Sequence, residues 1–437
     1  CEMEDSWKEP FSFWNRMRYH TINVSDERSL PLIKKMIAEY MQLFSSNKFN
    51  ICADETFCLG KYKSKKLTEE RGVHRLYIDY VKELAQFLVE NGKIPMFWGD
   101  IICEFPEAVQ ELPKETICLN WGYDADWPED STRKLSEAGA RLYNCPGVSG
   151  WDQLVNQIRV SYENISRMCQ YASNYHAEGL LNTDWGDCGH INHPDFSLLG
   201  MIYGAAFSWN LEIPEFEDIN RQISRVAYGD ETETLASVLA RISESWKFTW
   251  RNMVDFLEQD GLKLAQMGNP TDRKALLDEL EKLVKIEEPA VYQQAAQELE
   301  TIQQELYAAV SHLPVGRRGK IRAYLIAVQG MILLQKIGAV LADFIVLMEA
   351  QGKEPAEDQA VQSDINMEND IKRIPEHQET ENAHREEQWN LAEDLEYWLY
   401  DYKKLWRSVS KEAELHRIEH VICQYADWLR VFDKICD

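Results

Sequence analysis

The sequence predicts two kinds of fold in one chain: parallel strands alternating with helices, as in an α/β layer fold or a (β/α) barrel, and then an all-α region. The first observation is a set of five short apolar runs at 49–53, 94–98, 116–120, 141–144 and 179–183. The second is that amphipathic stretches such as 30–44 and 75–90 lie between or beside them, with apolar residues at three- and four-residue spacing. Strand, helix, strand repeated in this way requires crossovers, and crossovers make neighbouring strands parallel. The third is a change of character near residue 210. Beyond it, 223–267, 273–313, 320–350 and 383–433 are long, amphipathic and strand-free, which describes several packed helices. The expected domains are therefore 1–212 and 213–437. The polar, acidic stretch 351–382, with Pro355 and Pro375, is expected to be a loop or poorly ordered connection. The aromatic residues of the last helical stretch (Trp389, Tyr397, Trp398, Tyr400, Tyr402, Trp406) are expected to pack rather than line a ligand site.

Composition narrows the function classes. The chain has 437 residues, with 73 acidic and 47 basic side chains and a net charge of −26. That balance argues against nucleic acid or an anionic membrane as partner. Hydrophobic residues make up 45% and charged ones 27%, enough apolar material for two or three cores. No unbroken apolar run approaches the ~18 residues of a membrane span. Ten cysteines are too sparse for a disulfide scaffold, and none forms a CxxC pair, so no metal site is expected. Cys52, Cys103, Cys118 and Cys145 sit in or beside apolar runs, as buried free thiols of a reducing compartment would, and a cytoplasmic location is expected. The first residue is Cys1, and Glu2, Glu4 and Asp5 stand where a signal peptide would carry basic and then apolar residues, so the chain reads as processed or as a fragment.

The chemistry gathers where the strands end. The first run ends in Asp54-Glu55, the second in Trp98-Gly99-Asp100 and the third in Asn120-Trp121-Gly122-Tyr123-Asp124. The fourth ends in Asn144-Cys145-Pro146-Gly147 with Trp151 nearby, and the fifth in Thr183-Asp184-Trp185-Gly186-Asp187. Ligands bind at the carboxyl ends of parallel strands because the loops there are free to carry function. Indole faces stack on the C–H faces of sugar rings, and short carboxylates accept paired hydroxyl hydrogen bonds. The repeated pattern therefore reads as a sugar pocket. Asp54-Glu55 is its sharpest element. Adjacent carboxylates closing an apolar strand must either share a proton or have partners, which suits a tuned acid beside an ionised neighbour. Successive strand side chains point to opposite faces, so the two cannot both attack one sugar carbon and need different roles.

These motifs strongly resemble the glycoside hydrolase family 20 β-N-acetylhexosaminidases. The resemblance is carried by Phe49-Asn50-Ile51-Cys52-Ala53-Asp54-Glu55-Thr56 with Leu59-Gly60-Lys61, by Met96-Phe97-Trp98-Gly99-Asp100, by Cys145-Pro146-Gly147 with Trp151, and by Thr183-Asp184-Trp185-Gly186-Asp187-Cys188-Gly189-His190. The motif order is similar to a bacterial branch with a helical C-terminal domain, and the resemblance covers about residues 10 to 210. It implies a (β/α)8 TIM-barrel type catalytic domain. Only about fifty residues precede Asp54-Glu55, so strands four to eight are expected here, and the family's early-strand arginine is not replaced by Arg16, Arg18 or His20.

The resemblance also implies a mechanism, substrate-assisted retention of configuration, which departs from the two-carboxylate scheme. Glu55 would be the general acid and later the base. Asp54 would orient the substrate's 2-acetamido group, whose carbonyl oxygen attacks the anomeric carbon, and stabilise the oxazolinium. Trp98, Trp121 and Trp185 would wall the ring, and Tyr143 or its competitor Tyr123 would bond the acetamido oxygen. Asp187 would hold the outer hydroxyls at a position where many relatives carry Glu, His190 could line the same loop, and Asp100 and Trp151 would support. Terminal N-acetylhexosamine glycans are the implied partners, with no cofactor, nucleic acid or membrane. The alternatives are a non-catalytic sugar-binding or scaffold protein, and a two-carboxylate retaining glycosidase pairing Glu55 with Asp100 or Asp187.

Overall fold

The computed structural model describes residues 21–351 and 367–431. Cys1, Glu2, Glu4, Asp5, Arg16, Arg18 and His20 lie outside the described residues. The chain forms two compact units, one of Cys1–Ser149, Ile158–Asp184 and Leu198–Phe216, the other of Gly150–Gln157, Trp185–Ser197 and Glu217–Asp437.

The first unit is built on five parallel strands, β1 (Lys48–Asn50), β2 (Ile94–Trp98), β3 (Ile117–Trp121), β4 (Arg141–Cys145) and β5 (Gly179–Leu180), hydrogen-bonded in chain order. A doubly wound sheet reverses its order at a switch point. This sheet does not, so it is wound in one direction, as a barrel segment is. Helices α1 (Ser29–Met41), α2 (Lys65–Arg71), α3 (Val73–Glu90), α4 (Asp130–Glu137), α5 (Ile158–Asn174) and α6 (Leu198–Trp209) complete the unit, and two tight helical turns stand in for a helix between β2 and β3.

Strand alternation decides which face each residue serves. Phe97, Cys118 and Leu142 join Tyr77, Ile78 and Val81 of α3 and Leu135 of α4 in one buried cluster. α3 presents Leu76, Tyr77, Val81, Leu84 and Leu88 at helical spacing and ends where Asn91 donates to the Phe87 carbonyl and Gly92 takes φ 72°. Burying each such side chain stabilises by roughly 1.5–3 kcal/mol. Lys48, Leu119 and Tyr143 fall on the opposite face, where the Lys48 ammonium donates to the Tyr143 hydroxyl at 2.6 Å. β1 and β4 would stand about 14 Å apart in a flat sheet. The contact requires the sheet to curl toward this face.

The second unit is helical among the described residues of its longest segment. It holds α7 (Phe216–Ile223), α8 (Leu235–Ile242), α9 (Trp250–Glu258), α10 (Pro270–Leu283), α11 (Pro289–His312), α12 (Gly319–Gln351), α13 (Met367–Val409) and α14 (Leu415–Val431). The expected long helix over 223–267 is broken into short pieces, because Asp230 accepts the backbone N–H groups of Thr232, Thr234 and Leu235 and so starts α8 afresh. Gln335 of α12 takes the N–H groups of Lys247 and Phe248, which stabilises the next break. The expected loop over 351–382 is also corrected. Residues 352–366 lie outside the described residues, but from Met367 the chain is helical.

α12 contains the segment Gly319–Glu349, long and apolar enough to cross a membrane, with 67% of its most apolar window buried, as in the core helix of a bundle. Trp398, Tyr402 and Trp406 pack as expected, and Trp398 crosses Gly330 so closely that a side chain there would meet its indole at 2.7 Å. Trp389, Tyr397 and Tyr400 are exposed instead. Among the described cysteines all are free thiols, and Cys118 and Cys145 are buried as expected, whereas Cys52 is exposed.

Candidate active site

β1 stops sooner than its apolar run. The ladder continues past Asn50 only through Ile51 N–H to the Met96 carbonyl and Trp98 N–H to the Cys52 carbonyl, each 2.9 Å. Asn50 Oδ1 accepts the Cys52 N–H at 2.9 Å, a local turn that competes with extended backbone. Cys52, Ala53 and Glu55 then take φ of 62°, 69° and 46°. This turn is what exposes Cys52. It also removes the pleated-strand argument for Asp54 and Glu55, because residues 52–55 do not alternate as a strand does.

A non-glycine residue in the left-handed region costs roughly 1–3 kcal/mol and persists only where its surroundings hold it. Here the holders are Tyr77, whose hydroxyl donates to the Ala53 carbonyl at 2.9 Å, and Asp100, whose Oδ2 accepts the Glu55 N–H at 2.9 Å. The Asp54-Glu55 pair is thus presented on a strained turn gripped from α3 and from the end of β2.

Asp100 is the electrostatic centre of this group. Burial raises its carboxyl above the ordinary aspartate value and Asp54 adds to the rise, while the Glu55 N–H and the Trp121 indole oppose it. Cys52 is exposed by area, yet its thiol is packed closely enough that burial, and then Asp54, raise it, against a hydrogen bond with Trp98. Asp54, Glu55, Cys52, Trp98, Asp100 and Trp121 therefore form one neighbourhood. Trp121 stacks on Tyr123, ring centroids 5.3 Å apart at 18°. Trp98 is nearly buried, Trp121 and Tyr123 half-buried. Gly99 allows this closeness, since a Cβ there would meet Cys118 Sγ at 2.6 Å.

Tyr143 stands apart from that neighbourhood in its bonding. Its hydroxyl is taken by Lys48 at the start of β1, and its ring lies over Gly179, where a Cβ would approach it to 2.9 Å. The loops after β3 and β4 are tied by a residue that motif reading missed, Asn164 of α5. It is fully buried, donates to the carbonyls of Gly122 (2.9 Å) and Asp124 (3.0 Å), and accepts the Gly147 N–H at 3.1 Å. The signal was present, because Ser161 and Asn164 are polar residues on the buried stripe of an amphipathic helix.

Trp151, Trp185, Asp187 and His190 belong to the second unit. Trp151 and Trp185 are half-buried, while Asp187 and His190 are exposed by area. Asp187 is nevertheless packed closely enough that partial burial, and then Asp152, raise its carboxyl, with Arg251 and His190 opposing. Arg251 of α9 pairs with Asp152 at 2.8 Å and with Asp255 at 2.9 Å. Among the described residues no group of His, Cys, Asp and Glu has the arrangement of a metal site.

These features define a class: a barrel-type α/β segment whose strand ends carry an acidic, indole-bearing rim. The family emerges from comparison. Residues 2–185 match the family model for the glycosyl hydrolase family 20 catalytic domain, so the family resemblance carried by the motifs is shown over that segment. No curated protein matches the chain.

Among solved structures, the chain is similar to a GH20 exo β-N-acetylglucosaminidase from Vibrio harveyi in complex with N-acetylglucosamine (16% identity, TM-score 0.34, covering 50% of this chain and 36% of that one). It is also similar to a β-N-acetylhexosaminidase from Bacteroides fragilis (15% identity, TM-score 0.38, 48% and 46%). A third is a chitobiase from Flavobacterium johnsoniae (11% identity, TM-score 0.31, 77% and 55%). The chain spans less than two thirds of each of these proteins, and the family resemblance rests on the family model over residues 2–185 alone.

Proposed function

We propose that this chain carries the catalytic segment of an exo-acting, retaining β-N-acetylhexosaminidase, which removes terminal β-linked N-acetylglucosamine or N-acetylgalactosamine by substrate-assisted catalysis. The observation that supports it most is the Asp54-Glu55 turn, held by Asp100 and Tyr77 at the carboxyl end of β1 inside the segment that matches the family model. Glu55 is the general acid that protonates the leaving oxygen and then the base that activates water. Asp54 orients the acetamido group and stabilises the oxazolinium formed when its carbonyl oxygen attacks the anomeric carbon. The nucleophile is on the sugar, so two neighbouring carboxylates suffice.

Trp98 and Trp121 wall the sugar ring in this reading, with Trp185 and Trp151 as further contacts and Asp187 on the outer hydroxyls. Both tyrosines stay in the proposal for the acetamido oxygen: Tyr123 stacks on Trp121, and the Tyr143 hydroxyl, which accepts from Lys48, keeps its O–H to donate. The division into a catalytic region 1–212 and a helical region 213–437 is part of the same proposal. A two-carboxylate mechanism would need a second carboxylate ~5–5.5 Å from Glu55 across the sugar. Asp100 accepts the backbone N–H of Glu55 and faces the Trp121 indole, which suits orienting rather than attack.

The test is hydrolysis of nitrophenyl β-N-acetylglucosaminide beside the matching β-glucoside, with a thiazoline that imitates the oxazolinium as inhibitor. Turnover confined to the acetamido substrate and blocked by the thiazoline is expected. Equal turnover of both substrates would overturn substrate assistance.

A further inference from the structure

Two consecutive residues at the start of α9 each hold a different strand-end loop. Trp250, fully buried, donates its indole N–H to the Cys188 carbonyl at 2.8 Å, one residue beyond Asp187. Arg251 donates to Asp152 Oδ2 at 2.8 Å, one residue beyond Trp151, and its Nε binds Asp255 at 2.9 Å on the next turn of the same helix. The turn that presents them is itself well anchored. Thr249 accepts the Asn252 N–H, the Asn252 side chain accepts the Thr249 N–H, and this reciprocal cap defines where α9 begins.

The loops need such a hold. Asp152, Cys188 and His190 have φ of 62°, 48° and 54°, the left-handed region that residues with side chains leave unless their neighbours prevent it. A second set of contacts joins the same two loops, since Asn192 donates to Asn156 Oδ1 at 3.0 Å and Asn156 to Ser197 Oγ at 3.3 Å. The loops and the helical bundle thus form one unit, within which α9 meets each loop beside a residue proposed to contact sugar.

We propose that Trp250 and Arg251 are positioning residues for substrate: they fix the Trp151 and Trp185–Asp187 loops so that indole and carboxylate meet the ring face and outer hydroxyls of a terminal N-acetylhexosamine. The inference rests on the hexosaminidase reading. Its effect falls on sugar binding and leaves proton transfer by Glu55 untouched, so it raises KM much more than it lowers kcat.

The test uses the full chain with nitrophenyl β-N-acetylglucosaminide, alongside hydrogen exchange at 150–157 and 185–190. Arg251→Met is expected to raise KM about tenfold with kcat within about threefold, Arg251→Lys to recover part of that loss, and Trp250→Phe to raise KM severalfold. Exchange in both loops should quicken in step. Arg241→Met, which breaks an exposed pair between α8 and Glu305 of α11, serves as control and should change neither.

Faster exchange with KM unchanged would overturn the proposal in favour of a purely structural role, as would variants that lower kcat and leave KM alone. Trp250→Phe and Arg251→Lys keep most of the side chain in place, so they carry the test should Arg251→Met fail to fold. A wild-type chain that neither binds N-acetylglucosamine nor cleaves the substrate would instead overturn the hexosaminidase reading, and the substrate role of α9 with it.

Discussion

The loop after β1 and the loops after β4 and β5 do the same kind of work by different means. The first is held by its own neighbours, Asn50 within the turn, Tyr77 from the adjacent helix and Asp100 from the adjacent strand. The others depend on α9, Trp250 and Arg251 arriving from far along the chain. Both kinds of loop place residues with side chains in the left-handed region. The comparison teaches that strained strand ends need outside support, and that local support and distant support predict different failures.

The largest effect should come from the locally supported loop. Glu55→Gln is expected to lower turnover about 10²–10⁴-fold on substrates with poor leaving groups and far less on activated ones, because only the former need a proton in the transition state. Equal losses across a leaving-group series would remove Glu55 from the acid role. Next comes Asp54→Asn, expected to slow good and poor leaving groups alike by about a hundredfold, since a general electrostatic partner of a developing cation is worth a few kcal/mol. A loss confined to poor leaving groups would make Asp54 the acid.

Stability distinguishes the two kinds of support next. Asn164→Ala leaves the buried Gly122 carbonyl and Gly147 N–H, and the part-buried Asp124 carbonyl, without this partner, and each orphaned buried group costs about 1–3 kcal/mol. A fall of about 3 kcal/mol in urea unfolding of the strand-bearing unit is expected. A change under about 1 kcal/mol, the low end of that cost, would show that the loops after β3 and β4 hold themselves.

The smallest effect is a change of slope with pH. Burial and Asp54 raise the Asp100 carboxyl above its ordinary 3.8, so the folded protein keeps a proton that the unfolded chain releases. Stability from this group is therefore present at low pH and lost as pH rises through and above that value. Asp100→Asn retains an acceptor for the Glu55 N–H and removes the titration, so its stability relative to wild type should improve over that range. Thermal melts at stepped pH check it, and a constant difference between the two proteins would show that Asp100 titrates normally.

Much of this architecture was legible beforehand. The run at 94–98 became β2 with the same limits, the periodicity of 75–90 became most of α3, and Trp98 and Trp121 close β2 and β3, whereas Asp54-Glu55 lie beyond a β1 that ends at Asn50. What was not legible has a common cause. The apolar run 49–53 gives no hint that Asn50 bends the chain at Cys52, because the same residues fit a buried strand. The stretch 223–267 keeps helical periodicity throughout, yet Asp230 and Gln335 divide it by capping and by taking up backbone N–H groups.

The amino-acid sequence by itself determined the alternation of strands and helices, the helical character of the longer second region, and the identity of the acidic and aromatic side chains at the strand ends. Periodicity and residue chemistry are local properties, readable within a window of one element. Only the tertiary structure decided that Asp54 and Glu55 sit on a left-handed turn, that Asn164 ties two loops together, and that α9 grips two more. Those contacts join residues 42 apart for Asn164 and Gly122, 62 for Trp250 and Cys188, and 99 for Arg251 and Asp152. Their partners are chosen by packing and by the need of buried polar groups for hydrogen bonds, conditions that exist only once the chain has folded.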